Sequence, residues 1–272
     1  MTLRLENKKA IITGGASGIG AATVAKFVAE GAQVVLSDIN ESLAQTVIEQ
    51  LGADKVSFIQ CDVSDNDQIV NLVDQSLETL GRIDILFNNA GISGFGETPD
   101  IDDEQWFRVI NVDLHAVFFA CRKVIPIMKA QGGGAIVNTA SISGLGGDYG
   151  MAAYNAAKGA VANLTRTMAL DHAKDNIRVN SLCPGLIDTP IISAMKQMAE
   201  YEAFIKSELP TGRPGTPEEM ANVVAFLASD EASYVSGVNM VADGAKTSHT
   251  GMMNYTRWVK SIMDSEIKGK DL

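Results

Sequence analysis

Short runs of β-branched residues alternate with longer helical patterns along most of this chain. A strand followed by a helix and another strand forms a unit whose two strands run parallel, with the helix packed on a face of the sheet. Repeated units of this kind predict an α/β fold with helices on both faces and a ligand crevice at the carboxyl ends of the strands. The predicted strands are 8–13, 33–37, 56–61, 83–87, 134–140, 177–183 and 237–241.

The stretch 138–158 contains the candidate catalytic side chains. Tyr154 and Lys158 are four residues apart in a predicted helix, so an ammonium would lie beside a phenol on one helix face. A free phenol has a pKa of about 10, and a nearby cation favours its ionised form. The spacing alone occurs by chance in many surface helices. Ser141, thirteen residues earlier, adds a hydroxyl at the carboxyl end of the strand 134–140.

A glycine-rich turn, Gly14 to Gly20, separates the first strand from the helix that follows. Glycines let the backbone approach a pyrophosphate, and the helix amino terminus offers unpaired N–H groups. Asp38 closes the second strand eighteen residues after Gly20, where an acid can bond both ribose hydroxyls of an adenosine. The alternative is that Asp38 caps the helix starting near Glu41. In the ribose role it would repel a 2′-phosphate and favour NAD over NADP.

Composition excludes several other functions. The net charge of −11 argues against nucleic acid or an anionic membrane surface as the main partner. The three cysteines stand about sixty residues apart without a CxxC pair, and only three histidines are present, so we expect no metal site. A polar amino terminus without a long apolar run predicts a cytoplasmic protein with reduced thiols.

Three further segments carry predictions. A helix capped by Asp102 or Asp103 is expected to run to about Met128, and Asn111 within it either bonds locally or joins a polar network.

Residues 188–214 have few strand signals and predict a mobile flap over the crevice; the alternative is a surface helix packed by its Met and Ile side chains. The tail 246–272 has apolar residues without a local core, so we expect it to pack on a neighbouring subunit; these are Met252, Met253, Tyr255 and Trp258.

Five motifs in order resemble those of the short-chain dehydrogenase/reductase family. They are the turn 13–20, the run Asn88-Asn-Ala-Gly91 followed by Asn111, then Ser141, the run Tyr154-Asn-Ala-Ala-Lys158, and Pro184-Gly185. The resemblance implies a single-domain Rossmann fold over residues 1–245, with a seven-stranded parallel sheet and usually a homotetramer built through the helices that hold Asn111 and Tyr154. It implies Tyr154 as the acid/base and Lys158 as the group that promotes its ionisation and holds the nicotinamide ribose. Ser141 would steady the substrate oxygen, and Asn111 would hold a water in the proton relay.

The same resemblance implies an NAD site at the strand ends. The pyrophosphate would lie on the turn, Asp62 and Val63 would meet the adenine, and Asn89 the adenosine ribose region. The carboxamide would meet Ile187 and Thr189. The turn residues implied in pyrophosphate binding are Gly14, Ser17, Gly18 and Ile19.

Within the family, the run 141–149 together with 168–172 is similar to bacterial meso-2,3-butanediol (acetoin) dehydrogenases. The glycines after Ser141 leave little side-chain bulk near the reacting carbon, which favours a small neutral secondary alcohol or its ketone. A cyclic alcohol, a larger steroid-like or sugar-like substrate, and a non-catalytic NAD-sensing protein are the alternatives. The tail is longer than in the butanediol enzymes.

Overall fold

Seven parallel strands form one sheet in the computed structural model, which describes residues 3–252 and 254–268. Their order is β3-β2-β1-β4-β5-β6-β7, so the direction of winding reverses between β1 and β4. Each predicted strand is present, with ends within two residues of the prediction. The strands are β1 Lys9–Thr13, β2 Gln33–Asp38, β3 Val56–Gln60, β4 Ile85–Asn88, β5 Gly134–Thr139, β6 Ile177–Pro184 and β7 Asn239–Ala242.

Helices connect the strands and cover both faces of the sheet. They are α1 Gly18–Ala29, α2 Glu41–Leu51, α3 Asn66–Leu80, α4 Asp103–Ile110, α5 Ala116–Gln131, α6 Ala152–His172, α7 Tyr201–Glu208, α8 Pro217–Ala228 and α9 Tyr255–Lys268. In the part of the chain that the structure describes, every helix is too short or too polar to cross a membrane.

Alternating strand residues divide the interior into two cores. On β1 and β2, Ile11 and Val35 point into one core, and Ile12 and Leu36 point into the other. The first core is completed by α3, α5 and α6, and the second by α1 and α8. Strands that are buried on both faces are typical of parallel sheets. The predicted single-domain fold with helices on both faces is therefore confirmed.

The prediction of one continuous helix from Asp102 to about Met128 is wrong in one respect. The Asp102 side chain does cap it, accepting a hydrogen bond from Gln105 N at 2.7 Å. A π-helical turn, Asn111–His115, then interrupts the α-helix and separates α4 from α5. The Ala116 amide donates to Asn111 O across that turn, which makes it one residue wider than an α-helical turn.

The segment 188–214 is ordered as two short 3₁₀ turns and α7. Ile192 and Ile205 are buried, whereas Ile191, Met198 and Phe204 are exposed, so its apolar side chains are only partly packed. Glu208, the last residue of α7, accepts a hydrogen bond from Lys246 Nζ at 2.7 Å. This bond ties the segment to the start of the tail.

The tail forms α9, whose Tyr255 and Trp258 are about half exposed, as is Met252 before it. Met253 lies outside the described residues. Packing of this tail on a neighbouring subunit stays a prediction.

Candidate active site

Lys158 and Tyr154 lie at the carboxyl edge of the sheet, on one face of α6. Lys158 is only 3% exposed, and its Nζ donates a hydrogen bond of 2.9 Å to Thr139 O, the last residue of β5. The same Nζ lies 5.6 Å from the centre of the Tyr154 ring. Because burial of an unbonded ammonium is costly, the carbonyl at the end of β5 helps to fix this cation beside the phenol.

The turn after β5 holds Ser141 and packs against the same helix, α6. Ser141 is 7% exposed, and its Oγ accepts a hydrogen bond from Ser143 N at 3.1 Å. Gly144 then packs so tightly on α6 that a Cβ there would lie 2.5 Å from the Lys158 carbonyl. A larger residue would push the turn away, so glycine at 144 keeps the Ser141 turn against the helix that holds Tyr154 and Lys158.

Buried polar side chains hold the strand ends together below this site. Asn88 Nδ2 donates to Asn138 Oδ1 at 2.9 Å, and Asn138 Nδ2 donates to Thr165 Oγ1 at 3.0 Å. The chain of bonds links β4, β5 and α6. Buried amides that are satisfied in this way make the relative positions of the three elements specific.

Asn111 bonds locally, as one of the two alternatives predicted. Its Oδ1 shares a hydrogen bond of 2.9 Å with His115 Nδ1, one turn later. The side chain is half buried in the π-helical turn that packs against α6. Its role with a water stays a prediction.

The amino terminus of α1 is open to an anion. Ser17 is the N-cap residue, yet its hydroxyl makes no capping hydrogen bond within the described residues. Side chains cap α2, α3, α4 and α8, whereas α5, α6 and α7 also begin without a side-chain cap, so the glycines distinguish the start of α1. A Cβ at Gly20 would lie 1.9 Å from Gly14 O, so the turn is wound as tightly as glycine permits. Unpaired N–H groups and the positive end of the helix dipole together favour a phosphate.

Asp38 lies beside this turn at the end of β2. Its Oδ2 accepts a hydrogen bond from Ala16 N at 3.1 Å, and its Oδ1 accepts one from Asn40 N at 3.0 Å. The alternative that Asp38 caps α2 is wrong, because Asn40 is the N-cap and accepts from Leu43 N at 3.0 Å. The carboxylate is thus placed at the turn rather than on the helix.

The other predicted cofactor residues also lie at strand ends. Asn89 follows β4 and donates through Nδ2 to the carbonyls of Thr13 and Gly14, both at 3.1 Å, so its amide supports the turn itself. Asp62 and Val63 follow β3, where Asp62 is exposed. On the other side of the site, Ile187 is buried, and a Cβ at Gly18 would lie 3.1 Å from Thr189 Cγ2. Ile19, in the first turn of α1, packs against the second core.

Sequence reasoning missed three residues at this site. The Thr13 hydroxyl accepts hydrogen bonds from the amides of Asn89 and Ala90, and the Thr139 carbonyl holds Lys158. Asp113 is fully buried beside Lys158. For Asp113, the sequence signal was an acid within an apolar run. The Thr139 carbonyl had no such signal, because every residue has a backbone carbonyl.

Cys183 is a further group near Ser141, but it is not poised for nucleophilic chemistry. Burial raises the pKa of its thiol, although hydrogen bonds from Ser181 and the Ser141 backbone oppose the rise. Since the thiolate is the reactive form of cysteine, this side chain behaves as a packing residue. In the part of the chain that the structure describes, no three His, Cys, Asp or Glu residues form a metal-binding group.

Fold and site together define an oxidoreductase. A family model described as enoyl-(acyl carrier protein) reductase matches residues 14–247. The chain is 42% identical to the meso-2,3-butanediol dehydrogenase of Serratia marcescens over 92% of this chain and 98% of that protein. It is 44% identical to the cyclohexanol dehydrogenase of an Acinetobacter strain over 91% and 98% of the two chains. The crystal structure of levodione reductase superposes with a TM-score of 0.85 at 38% identity, covering 90% of this chain and 99% of that one.

The chain belongs to the short-chain dehydrogenase/reductase family. Members of this family typically use NAD or NADP, and the residues present fit such a dinucleotide. The amino terminus of α1, where the Ser17 hydroxyl makes no capping hydrogen bond, suits its pyrophosphate, and the glycines let the backbone approach it.

We predict that Gly20→Ala abolishes NADH binding, because its methyl group would lie 1.9 Å from a backbone carbonyl and force the turn to open. Fluorescence titration with NADH measures the affinity, and we expect a loss of at least about a hundredfold, or ~2.7 kcal/mol. Gly147→Ala is the matched control, since a Cβ there meets no atom within 4 Å. Tight NADH binding by Gly20→Ala would contradict this assignment.

Proposed function

We propose that this protein interconverts a small neutral secondary alcohol or vicinal diol and its ketone, with NAD as the hydride carrier and Tyr154 as the acid/base. The observation that carries the proposal is the buried Lys158 ammonium, fixed by Thr139 O and 5.6 Å from the Tyr154 ring centre. A buried cation beside a phenol favours the phenolate, which is the base that alcohol oxidation requires.

Each side chain has one task in the mechanism. Tyr154 takes the hydroxyl proton of the alcohol in oxidation and returns a proton to the carbonyl oxygen in reduction. Ser141 steadies the substrate oxygen, and Asn111 holds a water through which the proton reaches solvent. Lys158 stabilises the phenolate and binds the nicotinamide ribose. The dinucleotide, when bound, supplies the hydride acceptor or donor.

The distribution of cations supports a neutral substrate. The loops 91–96 and 141–151 contain no Arg or Lys. In the segment 188–214, the three cations are each paired with an acid: Lys196 with Asp188, Lys206 with Glu202, and Arg213 with Glu219. Each cation on these three segments is therefore already paired with an acid. Lys158, on α6, is buried and bonded to Thr139 O.

A cyclic alcohol is the second candidate. Phe95, Leu145 and Tyr149 are exposed on two loops joined by the hydrogen bond from Gly96 N to Gly150 O at 2.8 Å. Exposed aromatic and aliphatic side chains near a site favour an apolar ligand. Relatives named for cyclohexanol and levodione support this candidate, and the relative named for butanediol supports the first.

The residues 188–214 are the proposed flap over this site. Thr189 at one end lies over Gly18, and the bond between Glu208 and Lys246 fixes the other end. Between these ends the segment exposes apolar side chains that would contact a bound substrate: Ile191, Met198 and Phe204.

We further infer a cytoplasmic homotetramer. Exposed Phe118 on α5 and Leu170 on α6 give the two long helices apolar surface that a neighbouring subunit would cover. All three cysteines are buried and unpaired, which suits a reducing compartment.

Tyr154→Phe should remove turnover and leave NADH binding nearly intact, because only the proton-carrying oxygen is lost. We expect kcat to fall at least about a thousandfold, or ~4 kcal/mol. Absorbance at the NADH band with a panel of secondary alcohols and diols measures it. Tyr234→Phe, which removes a fully exposed phenol, is the control. Unchanged turnover in Tyr154→Phe would defeat the proposed mechanism.

Asp38→Ala should improve the use of NADP relative to NAD, because it removes a negative charge from the predicted ribose site. We expect the ratio of kcat/KM values for the two cofactors to change by at least about tenfold, or ~1.4 kcal/mol. Asp54→Ala, which removes an exposed acid before β3, is the control. If the ratio stays constant in Asp38→Ala, Asp38 does not select the cofactor.

A further inference from the structure

Asp113 is a fully buried acid that the proposed mechanism does not use. It lies in the π-helical turn between α4 and α5 and is 0% exposed. Its Oδ1 accepts a hydrogen bond of 2.8 Å from Ile92 N, just after the run 88–91. Its Oδ2 is buried and has no hydrogen-bond partner among the described residues. A buried polar atom without a partner is costly and needs an explanation.

Lys158 is the nearby charge that bears on this carboxyl group. A Cβ added at Gly91 would lie 3.0 Å from Asp113 Oδ1 and 3.4 Å from Lys158 Nζ, so carboxyl and ammonium flank the same small space above Gly91. Burial raises the pKa of the Asp113 carboxyl, and both the positive charge of Lys158 and the Ile92 amide oppose that rise. The charge of Lys158 therefore acts on the Asp113 carboxyl group.

We propose that Asp113 is a positioning residue that acts on the reaction through Lys158, as a buried anion whose charge acts on the ammonium that serves Tyr154. The inference rests on the proposed function of Tyr154 and Lys158. The π-helical turn aims Asp113 at α6, and the Ile92 amide fixes the carboxylate there. As an anion, Asp113 offsets part of the cost of burying Lys158 and also weakens the pull of that cation on the phenol.

Other titratable groups lie on the elements that surround Asp113. Tyr154 is on α6, where its ring centre is 5.6 Å from Lys158 Nζ, and His115, on the same turn as Asp113, is exposed and bonded to Asn111. Arg108 on α4 and Arg122 on α5 are exposed, and Arg122 lies over the rings of Phe118 and Phe119. Of the described groups, Lys158 is the one whose charge acts on Asp113.

The test removes the charge and keeps the hydrogen bond to Ile92. In Asp113→Asn the amide oxygen can still accept from Ile92 N, and Asp113→Ser keeps a smaller acceptor should the first variant fail to fold. Loss of an anion makes every neighbouring acid easier to deprotonate. We therefore expect both limbs of the pH profile of kcat/KM for alcohol oxidation to move to lower pH by about one unit.

A second readout does not depend on turnover. The ultraviolet tyrosinate band, measured against pH as the difference between each protein and the same protein carrying Tyr154→Phe, should move its midpoint to lower pH by a similar amount. Asp171→Asn, an exposed acid on α6, is the matched control and should leave both readouts in place.

The outcomes separate the two proposals. If both charge-removing variants lose activity equally at all pH values and the tyrosinate midpoint stays in place, Asp113 is structural only and the inference is overturned. If neither wild type nor variants oxidise any alcohol, the proposed function fails, and the tyrosinate midpoint alone decides whether Asp113 acts on the pair.

Discussion

The buried ammonium of Lys158 is the interaction on which the rest of this site depends. Its hydrogen bond to Thr139 O fixes it at the end of β5, and its place on α6 brings it to the Tyr154 ring. A cation almost fully removed from water acts on a neighbouring phenol far more strongly than it would at the surface. The proposed chemistry and the proposed role of Asp113 both follow from this one buried charge.

The strand order of the sheet places Lys158 at the same edge as the proposed dinucleotide site. Winding reverses between β1 and β4, so the glycine turn after β1 and the run after β4 open onto one crevice. Asn89 and Thr13 bond across it, and the bonds among Asn88, Asn138 and Thr165 hold α6 to the same edge. Small residues at 20, 91 and 144 let the backbone and the buried groups approach closely.

The sequence predicted the fold well because period-two and helical patterns report burial directly, and seven strands appeared within two residues of their expected ends. It predicted where Ser141, Tyr154 and Lys158 lie, because each follows a strand or shares a helix face. It could not separate Asp38 as a ribose ligand from Asp38 as a cap, since both roles use an acid before a helix. The π-helical turn Asn111–His115 was also missed, because it packs against α6 and such a tertiary contact leaves no periodic pattern in a sequence. The tail helix α9 was not predicted.

The most direct test of this account replaces Lys158 with methionine, which keeps the length of the side chain and removes its charge. The measurement is the tyrosinate difference band of Tyr154 against pH, with circular dichroism to verify folding. The account predicts that its midpoint moves to higher pH and that alcohol oxidation at neutral pH is lost. A folded Lys158→Met protein with an unchanged midpoint and undiminished oxidation would contradict it.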